Sequence, residues 1–235
     1  MPTYIFGEGS TATVSGTHKD TYIDGGFATD DSFATEDNLQ ITGGASVHAL
    51  MRFDISSIPA GETISTAVLG LYLQLPPALA PVTVSAYRLV TGWGKTDTDG
   101  GASQSPAADS QATWNEALAG PTNTKWAGGG AFTASDYAAG AIDSFVVSNL
   151  DAAGTLYSLD LVTPVTAWHT GTATNHGIVL IEGGDDIAQL DSQESATAAE
   201  RPLLTVVTSG GGGGATGSSV ARQKSSTSVG IGIGV

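Results

Sequence analysis

The sequence has no cysteine and few basic residues. Without cysteine the chain can form no disulfide bond, no thiolate metal site and no cysteine nucleophile. Its 8 Lys and Arg residues are outnumbered by 23 Asp and Glu residues, which gives a formal net charge of -15. This charge repels phosphate backbones and anionic lipid surfaces, so neither nucleic acid nor a membrane is an expected partner. With 40% hydrophobic and only 13% charged residues, the chain has enough apolar side chains to build a core.

Long apolar runs are also missing. No stretch approaches the ~18 apolar residues that a membrane-spanning helix needs. The first residues, Met1 to Gly9, contain no basic segment, no apolar segment and no small-residue cleavage site, which predicts that the chain is not a Sec precursor. The predicted location is a virion surface or an extracellular one, because a virion protein is made in the cytosol and reaches the outside by lysis.

The sequence lacks the common motifs of catalysis. The four histidines have neither the HExxH spacing of zinc hydrolases nor another ligand-like spacing. There is no Gly-x-Ser-x-Gly elbow, and the glycine runs lack the Lys-Ser/Thr pair of a phosphate-binding loop. Carboxylates are abundant, but none stands in a recognisable catalytic motif. The sequence therefore predicts a protein that is not an enzyme.

Short β-branched or alternating runs, bounded by Gly, Pro, Asn and Asp, recur along the chain. They predict an all-β fold, a jelly-roll β-sandwich of about ten strands. The predicted strands are Thr11 to Val14, Thr21 to Ile23, Asn38 to Thr42, Val47 to Asp54, Ala67 to Leu75, Thr83 to Leu89, Ile142 to Val147, Leu156 to Leu161, Gly177 to Glu182 and Leu203 to Thr208. Two stretches are predicted as short helices with Asp109 or Thr163 as N-cap, and one polar segment as an exposed loop. These are Ser110 to Ala119 and Val162 to Trp168 for the helices, and Thr96 to Ala108 for the loop.

The composition changes after residue 208. Five consecutive glycines follow Ser209, and a Ser/Thr/Gly-rich stretch then continues to the last residue. This is the composition of a flexible linker, so we expect a folded domain over residues 1–208 and a flexible Gly/Ser-rich C-terminal arm over 209–235. Arg222 and Lys224 fit docking on an acidic neighbour, and Ile231 and Ile233 fit addition of a strand to a sheet edge. The arm is therefore predicted to be an assembly tether, with a solubilising tail as the alternative.

Several sequence blocks, in order, resemble the DNRLRE family of carbohydrate-binding-module-like domains. The strongest is RFDISSIPAGETISTAVLGLYL over residues 52–73, which is similar to that family's R-F-D-L-S-x-I-P-x-G signature. Further similar blocks are Ala112 to Trp114, Trp126 with Gly128 to Gly130, Leu159 to Leu161 with Trp168 to Gly171, Asn175 to Leu180, and Asp191 to Glu194 with Glu200 to Val206. The resemblance spans about Lys19 to Val207. It implies a β-sandwich that binds polysaccharide, and relatives that are secreted parts of polysaccharide-acting or cell-surface proteins.

Sugar recognition by β-sandwich modules uses exposed aromatic rings that stack on pyranose faces. The predicted glycan-binding residues are Trp93, Tyr137 and Trp126. Trp93 and Tyr137 flank polar segments, so we expect both to be exposed. Trp126 falls in a family-like block, and a place in the core is the alternative for it.

A dense run of acidic residues lies near the N-terminus. Hard carboxylate oxygens suit Ca²⁺, so a structural calcium ion is the predicted cofactor, with Asp20, Asp24, Asp30 and Asp31 as its ligands. The run has no EF-hand spacing, and the alternative is a solvated acidic loop.

Taken together, these patterns predict a non-enzymatic structural or adhesive surface protein. The expected setting is a virion, as a phage head decoration or tail-associated protein in an oligomeric assembly that contacts other virion or surface proteins through its arm. The alternative is a soluble extracellular polysaccharide-binding module.

Overall fold

The computed structural model describes residues 1–15, 18–26, 28–43, 46–94, 105–106, 111–119 and 124–210. These residues form thirteen strands and one helix. The strands are β1 (Thr3–Gly7), β2 (His18–Asp24), β3 (Asp31–Ser32), β4 (Asn38–Ile41), β5 (Val47–Phe53), β6 (Thr63–Leu75), β7 (Val82–Arg88), β8 (Ser105–Pro106), β9 (Asp143–Val147), β10 (Leu156–Asp160), β11 (Ile178–Glu182), β12 (Ala188–Asp191) and β13 (Leu203–Ser209). The helix, α1, spans Val162–His169, and no helix among the described residues could cross a membrane.

The strands form two antiparallel sheets that pack face to face, and a small pair, β3 with β8. In the first sheet the order is β1-β13-β6-β12-β4, and β10 also pairs with β6. The second sheet has the order β2-β5-β11-β7-β9. The predicted all-β sandwich is confirmed, while the jelly-roll connection pattern stays a prediction.

The main core lies between the two sheets and follows from strand alternation. In β6 the side chains of Leu69, Leu71 and Leu73 are fully buried, while the residues between them point to the outer face. β13 pairs with β6 and alternates in the same way, with Leu204 and Val206 inward. The long strand β6 therefore holds the first sheet together, because β10, β12 and β13 all bond to it.

A second core covers the outer face of the second sheet. In β5 three successive residues, Ala49, Leu50 and Met51, are all fully buried, which requires protein on both faces of the strand. Leu50 packs outward with Val179 of β11 against a cap of irregular chain that includes Trp126 and Phe132. The second sheet is thus enclosed, and this cap was not predicted from the sequence.

Neither helix prediction holds fully. Residues 111–119 are irregular rather than helical, because Thr113 forms hydrogen bonds that a helix would not use. Its Oγ1 accepts the amide hydrogen of Glu116 in a turn, and its carbonyl accepts the Nε1 hydrogen of Trp126. Asp109 and most of the predicted loop at 96–108 lie outside the described residues. The predicted helix at 162–168 is confirmed, but its first amide is capped by Asp160 Oδ1 at 2.8 Å rather than by Thr163.

His48 sits in the second core between the rings of Trp114 and Phe132, with ring centroids at 5.4 and 5.6 Å. Burial lowers the pKa of His48 from 6.5 to about 4. Between these two values the unfolded chain binds a proton that the folded chain does not, so stability falls as pH drops from about 6.5 to 4. We expect a loss of about 3 kcal/mol over that window from this residue.

The comparison of wild type with His48→Phe by urea unfolding across this pH range tests the prediction. Carboxylates also titrate there, so the quantity to compare is the difference between the two proteins. His48→Phe should show the shallower decline in unfolding free energy as pH falls. A histidine NMR titration that places the His48 pKa at 6 or above would contradict it.

Candidate functional site

Helix α1 closes one end of the sandwich. Its residues Pro164, Val165 and Trp168 are buried, two of them in the main core. At this end β5 finishes at Phe53, β7 finishes at Arg88 and β11 begins at Ile178. A groove lies on each side of the helix, and polar side chains from several loops line the two grooves.

The first groove, called the Trp168 groove, has a volume of about 360 Å³. Its apolar lining consists of Ile55, Ile58, Ala60 and Trp168, and its polar lining of Asp54, Ser56, His169 and Asn175. This volume is near the lower end of what small-ligand pockets enclose, about 300–1,000 Å³.

Hydrogen bonds hold the polar rim of the Trp168 groove in place. Asp54 Oδ1 accepts the amide hydrogen of Ser56 at 2.9 Å, and the hydrogen bonds from Ser56 keep the pKa of the Asp54 carboxyl below its usual value. Asn175 Nδ2 donates to the Phe53 carbonyl at 2.8 Å, and its Oδ1 accepts the Gly177 amide hydrogen at 3.1 Å. The rim is therefore pre-organised by the turn after β5 and by the segment before β11.

Trp168 is 9% exposed, and its Nε1 atom is buried and has no hydrogen-bond partner among the described residues. The other two buried tryptophans differ. Trp93 Nε1 donates to the His176 carbonyl at 2.9 Å, and Trp126 Nε1 donates to the Thr113 carbonyl at 3.0 Å. A buried N–H group without a partner is rare in folded proteins, because its desolvation is uncompensated.

The second groove, called the Arg88 groove, has a volume of about 330 Å³ and lies on the opposite side of α1. Among the residues that the structure describes, Arg88 is its one charged lining residue, beside Ile142, Thr163, Pro164, Ala167 and three small residues. Arg52 lies nearby with its guanidinium 5.8 Å from the Trp93 ring centroid. Burial lowers the pKa of His176, and the charges of Arg52 and Arg88 lower it further. Arg52 and Arg88 therefore place two positive charges close to His176.

The structure buries two of the three predicted glycan-binding aromatics. Trp93 is 4% exposed and Trp126 is 1% exposed, and both belong to the second core. The prediction that Trp93 is exposed is wrong, because its chain folds back over the second sheet and its indole bonds to the His176 carbonyl. Trp126 lies in the core, as the alternative prediction for this residue had it.

Tyr137 is half-buried, with its ring 4.9 Å from Tyr87 and 5.8 Å from Phe132. Burial, together with neighbouring Tyr87, raises the pKa of its hydroxyl. Of the three predicted aromatics, it alone keeps a substantial exposed surface for a ligand.

The four aspartates predicted as calcium ligands do not meet at one site. Asp20 is buried, lies 3.3 Å from His18 Nε2 and accepts the Gln193 amide hydrogen at 2.9 Å. Asp24 accepts the amide hydrogen of Gly26, Asp30 accepts from the side chain of Asn115, and Asp31 lies in β3. In the part of the chain that the structure describes, no three His, Asp or Glu side chains are grouped so that they could hold a metal ion.

The four arm residues named above, Arg222, Lys224, Ile231 and Ile233, lie outside the described residues. Strand β13 ends at Ser209, one residue after the predicted domain boundary.

The described residues thus form an antiparallel β-sandwich with a groove on each side of α1. The sequence model of carbohydrate-binding module family 96 matches residues 11–208, which is most of the chain. The chain therefore belongs to carbohydrate-binding module family 96, a family of binding modules, and the predicted carbohydrate-binding-module-like domain is confirmed. The narrower resemblance to the DNRLRE family stays a prediction. No curated protein matches the chain.

Proposed function

We propose that this chain is a non-catalytic module that binds a polysaccharide and carries or anchors a larger assembly to it. The observation that carries the proposal is the family match over residues 11–208. The α1 end supports it, because two grooves of about 360 and 330 Å³ offer apolar surface beside fixed polar groups, as sugar sites do.

We also propose a place on a particle surface, such as a virion, with the C-terminal arm as the tether. The sequence of the arm favours this role. In an extended strand Val229, Ile231, Ile233 and Val235 would share one face, and only glycines would lie on the other. Two of the eight cations of the chain, Arg222 and Lys224, are also in the arm and would be attracted to an acidic neighbour.

One pair of proteins tests both proposals: the full chain and a chain that ends at Thr208. We expect both to bind the same polysaccharides on a glycan array and in affinity electrophoresis, with affinities within about twofold, because the sandwich holds the binding groups. Light scattering after size exclusion should show a defined oligomer for the full chain and a monomer for the shorter one. Both runs are repeated with calcium and with EDTA, which tests the structural calcium ion predicted from the sequence.

The outcomes separate the two roles. If no glycan binds either protein, the polysaccharide-binding function is overturned. If only the full chain binds glycan, the binding groups lie in the arm and not in the sandwich. If both proteins are monomers, the proposed self-assembly through the arm is contradicted.

A further inference from the structure

We infer that the outer face of the first sheet is the docking surface for the C-terminal arm of a second copy of this chain, with Val229, Ile231 and Ile233 packed against it. The inference rests on the proposed tether role of the arm, and it names the surface and the partner. This outer side of β1, β13, β6 and β10 is called the open face, because the second core covers the outer side of the other sheet.

The register of the four strands shows which residues share the open face. Direct partners in an antiparallel sheet point to the same side of it. Val68 of β6 is exposed, and its partners are Thr205 of β13 and Asp160 of β10. The same pairings place alternate positions on this face, from 66 to 72 in β6, from 203 to 207 in β13, from 3 to 7 in β1 and from 156 to 160 in β10.

The open face offers apolar surface around a notch. Leu156 is 51% exposed and Val68 is 39% exposed, and Tyr72, the partner of Leu156, is half-buried. Gly70 lies beside Leu156, and a Cβ at Gly70 would be 3.4 Å from Leu156 Cδ1, so the missing side chain leaves a gap for a branched side chain of a partner. Four strands about 4.8 Å apart, over about 20 Å of β6, make a face of roughly 400 Å², the size of the patches that mark interaction sites.

The charges of the open face match the arm. Asp160 is the one charged residue at these positions, and Asp143 lies beside it and accepts its amide hydrogen at 2.8 Å. The arm carries two cations, Arg222 and Lys224, and no charged residue after them. An uncharged apolar segment thus meets the uncharged part of the face, and two cations meet two carboxylates. Two open faces packed on each other would bring no cation to these carboxylates.

The spacing along the two segments agrees with this match. Five residues separate Lys224 from Val229, which is at most about 17 Å in an extended chain. Four residues separate Asp160 from Leu156, which is about 13 Å along β10. When the cations lie at the carboxylates, the apolar end of the arm therefore reaches Leu156. The apolar residues of the arm alternate with glycine, so in an extended strand they would face the sheet together.

Cysteine cross-linking tests this contact in the full chain, because the sequence has no cysteine of its own. One protein carries Leu156→Cys, and a second protein with a mass tag carries Ile231→Cys. Mild oxidation of the mixture should give a cross-linked heterodimer in a yield at least about fivefold above that of the matched pair Leu79→Cys with Ile231→Cys. Leu79 is 84% exposed but lies in the loop after β6, outside the open face.

Self-association of the full chain, measured by light scattering over a concentration series, is the second readout. Gly70→Val fills the notch and suits the strand, because Gly70 has no positive φ and the nearest atom to its Cβ is at an ordinary contact distance. Gly70→Val and Leu156→Glu should each raise the dissociation constant of the assembly by at least about tenfold. Leu79→Glu is the matched control and should leave it within about twofold.

Four results would overturn the docking surface while leaving the tether role intact. The first is an equal cross-link yield from the Leu79 pair. The second is a dominant cross-link between two Leu156→Cys copies, which would make a second open face the partner. The third is assembly with unchanged affinity in both Gly70→Val and Leu156→Glu. The fourth is loss of polysaccharide binding alone in Leu156→Glu, which would assign the face to the glycan.

A chain that carries both cysteines tests whether the arm binds its own sheet. A cross-link within that chain, without a heterodimer from the two single variants, overturns the second copy as the partner. The cysteine variants change little at the surface, so the test stands even where Leu156→Glu does not fold. If the wild-type chain stays monomeric at every concentration, the proposed tether role itself fails.

Discussion

Replacing Asp136 with alanine should lower the free energy of unfolding by about 4 kcal/mol, because four hydrogen bonds to one buried carboxylate would be lost at once. Asp136 is fully buried. Its Oδ1 accepts the Ala127 amide hydrogen at 2.6 Å and the Thr91 hydroxyl at 2.9 Å. Its Oδ2 accepts the amide hydrogen of Thr133 at 2.9 Å and the hydroxyl of the same residue at 3.2 Å. One carboxylate thus ties three points of the cap over the second sheet.

The matched control is Asp143→Ala. Asp143 also accepts two backbone amide hydrogens, those of Ser144 and Asp160, each at 2.8 Å, but it is only partly buried. Water can replace the carboxylate there, so we expect a loss of about 1 kcal/mol or less. Urea unfolding of both variants gives the comparison. If Asp136→Ala destabilises no more than Asp143→Ala, the cap does not depend on this carboxylate.

Asp136→Asn separates hydrogen-bond geometry from charge. The amide keeps the size of the side chain but turns one acceptor into a donor, so about half of the alanine effect is expected. Because the cap carries Trp93, and Trp93 bonds to His176 at the α1 end, a weakened cap should also alter the NMR signal of the Trp93 indole N–H.

The strands that could be predicted from the sequence are those in which apolar and polar residues alternate over enough positions to be recognised. β6 and β13 show it clearly, and the structure places them in the centre of the first sheet. β12, by contrast, has four residues, and it is held by pairing with β4 and β6, which the sequence pattern does not record. The predicted strand at Thr11 to Val14 forms only one bridge, between Val14 and Phe6, because Ala12 bonds back to Gly9 in a turn.

The candidate site could be predicted only in part. The block at 52–73 and the short helix at 162–168 were both predicted from the sequence, but the approach of residues 52–54 to the helix at one end of the sandwich depends on contacts between distant segments. Burial of the tryptophans also depends on contacts between distant segments of the chain. Trp93 and Trp168 both lie near Gly and Thr in the sequence, yet one indole donates within the protein and the other does not. The available signal was the position of Trp168 at the end of the helix predicted over 162–168 and within one of the family-like blocks.

Gly177→Ala should be among the most damaging substitutions at the α1 end, with a loss of at least about 3 kcal/mol or failure to fold. Gly177 precedes β11 and has a φ of +85°, in the left-handed region that disfavours residues with a Cβ. A Cβ at this position would lie 2.1 Å from the carbonyl oxygen of Met51, which is backbone of the neighbouring strand β5. Since the Gly177 carbonyl also accepts the amide hydrogen of Leu89, the backbone is held from both sides and cannot move away.

Gly171→Ala isolates the cost of the dihedral angle from the cost of the clash. Gly171 has a φ of +72°, and a Cβ there would meet no atom within 4 Å. Its replacement should therefore cost about 1 kcal/mol, the usual penalty for a left-handed alanine. Thermal and urea unfolding of both variants measure the difference. Equal losses would mean that the β5 and β11 backbones can separate at Gly177. In that case Asn175, which accepts the Gly177 amide hydrogen, would no longer have a fixed place at the rim of the Trp168 groove.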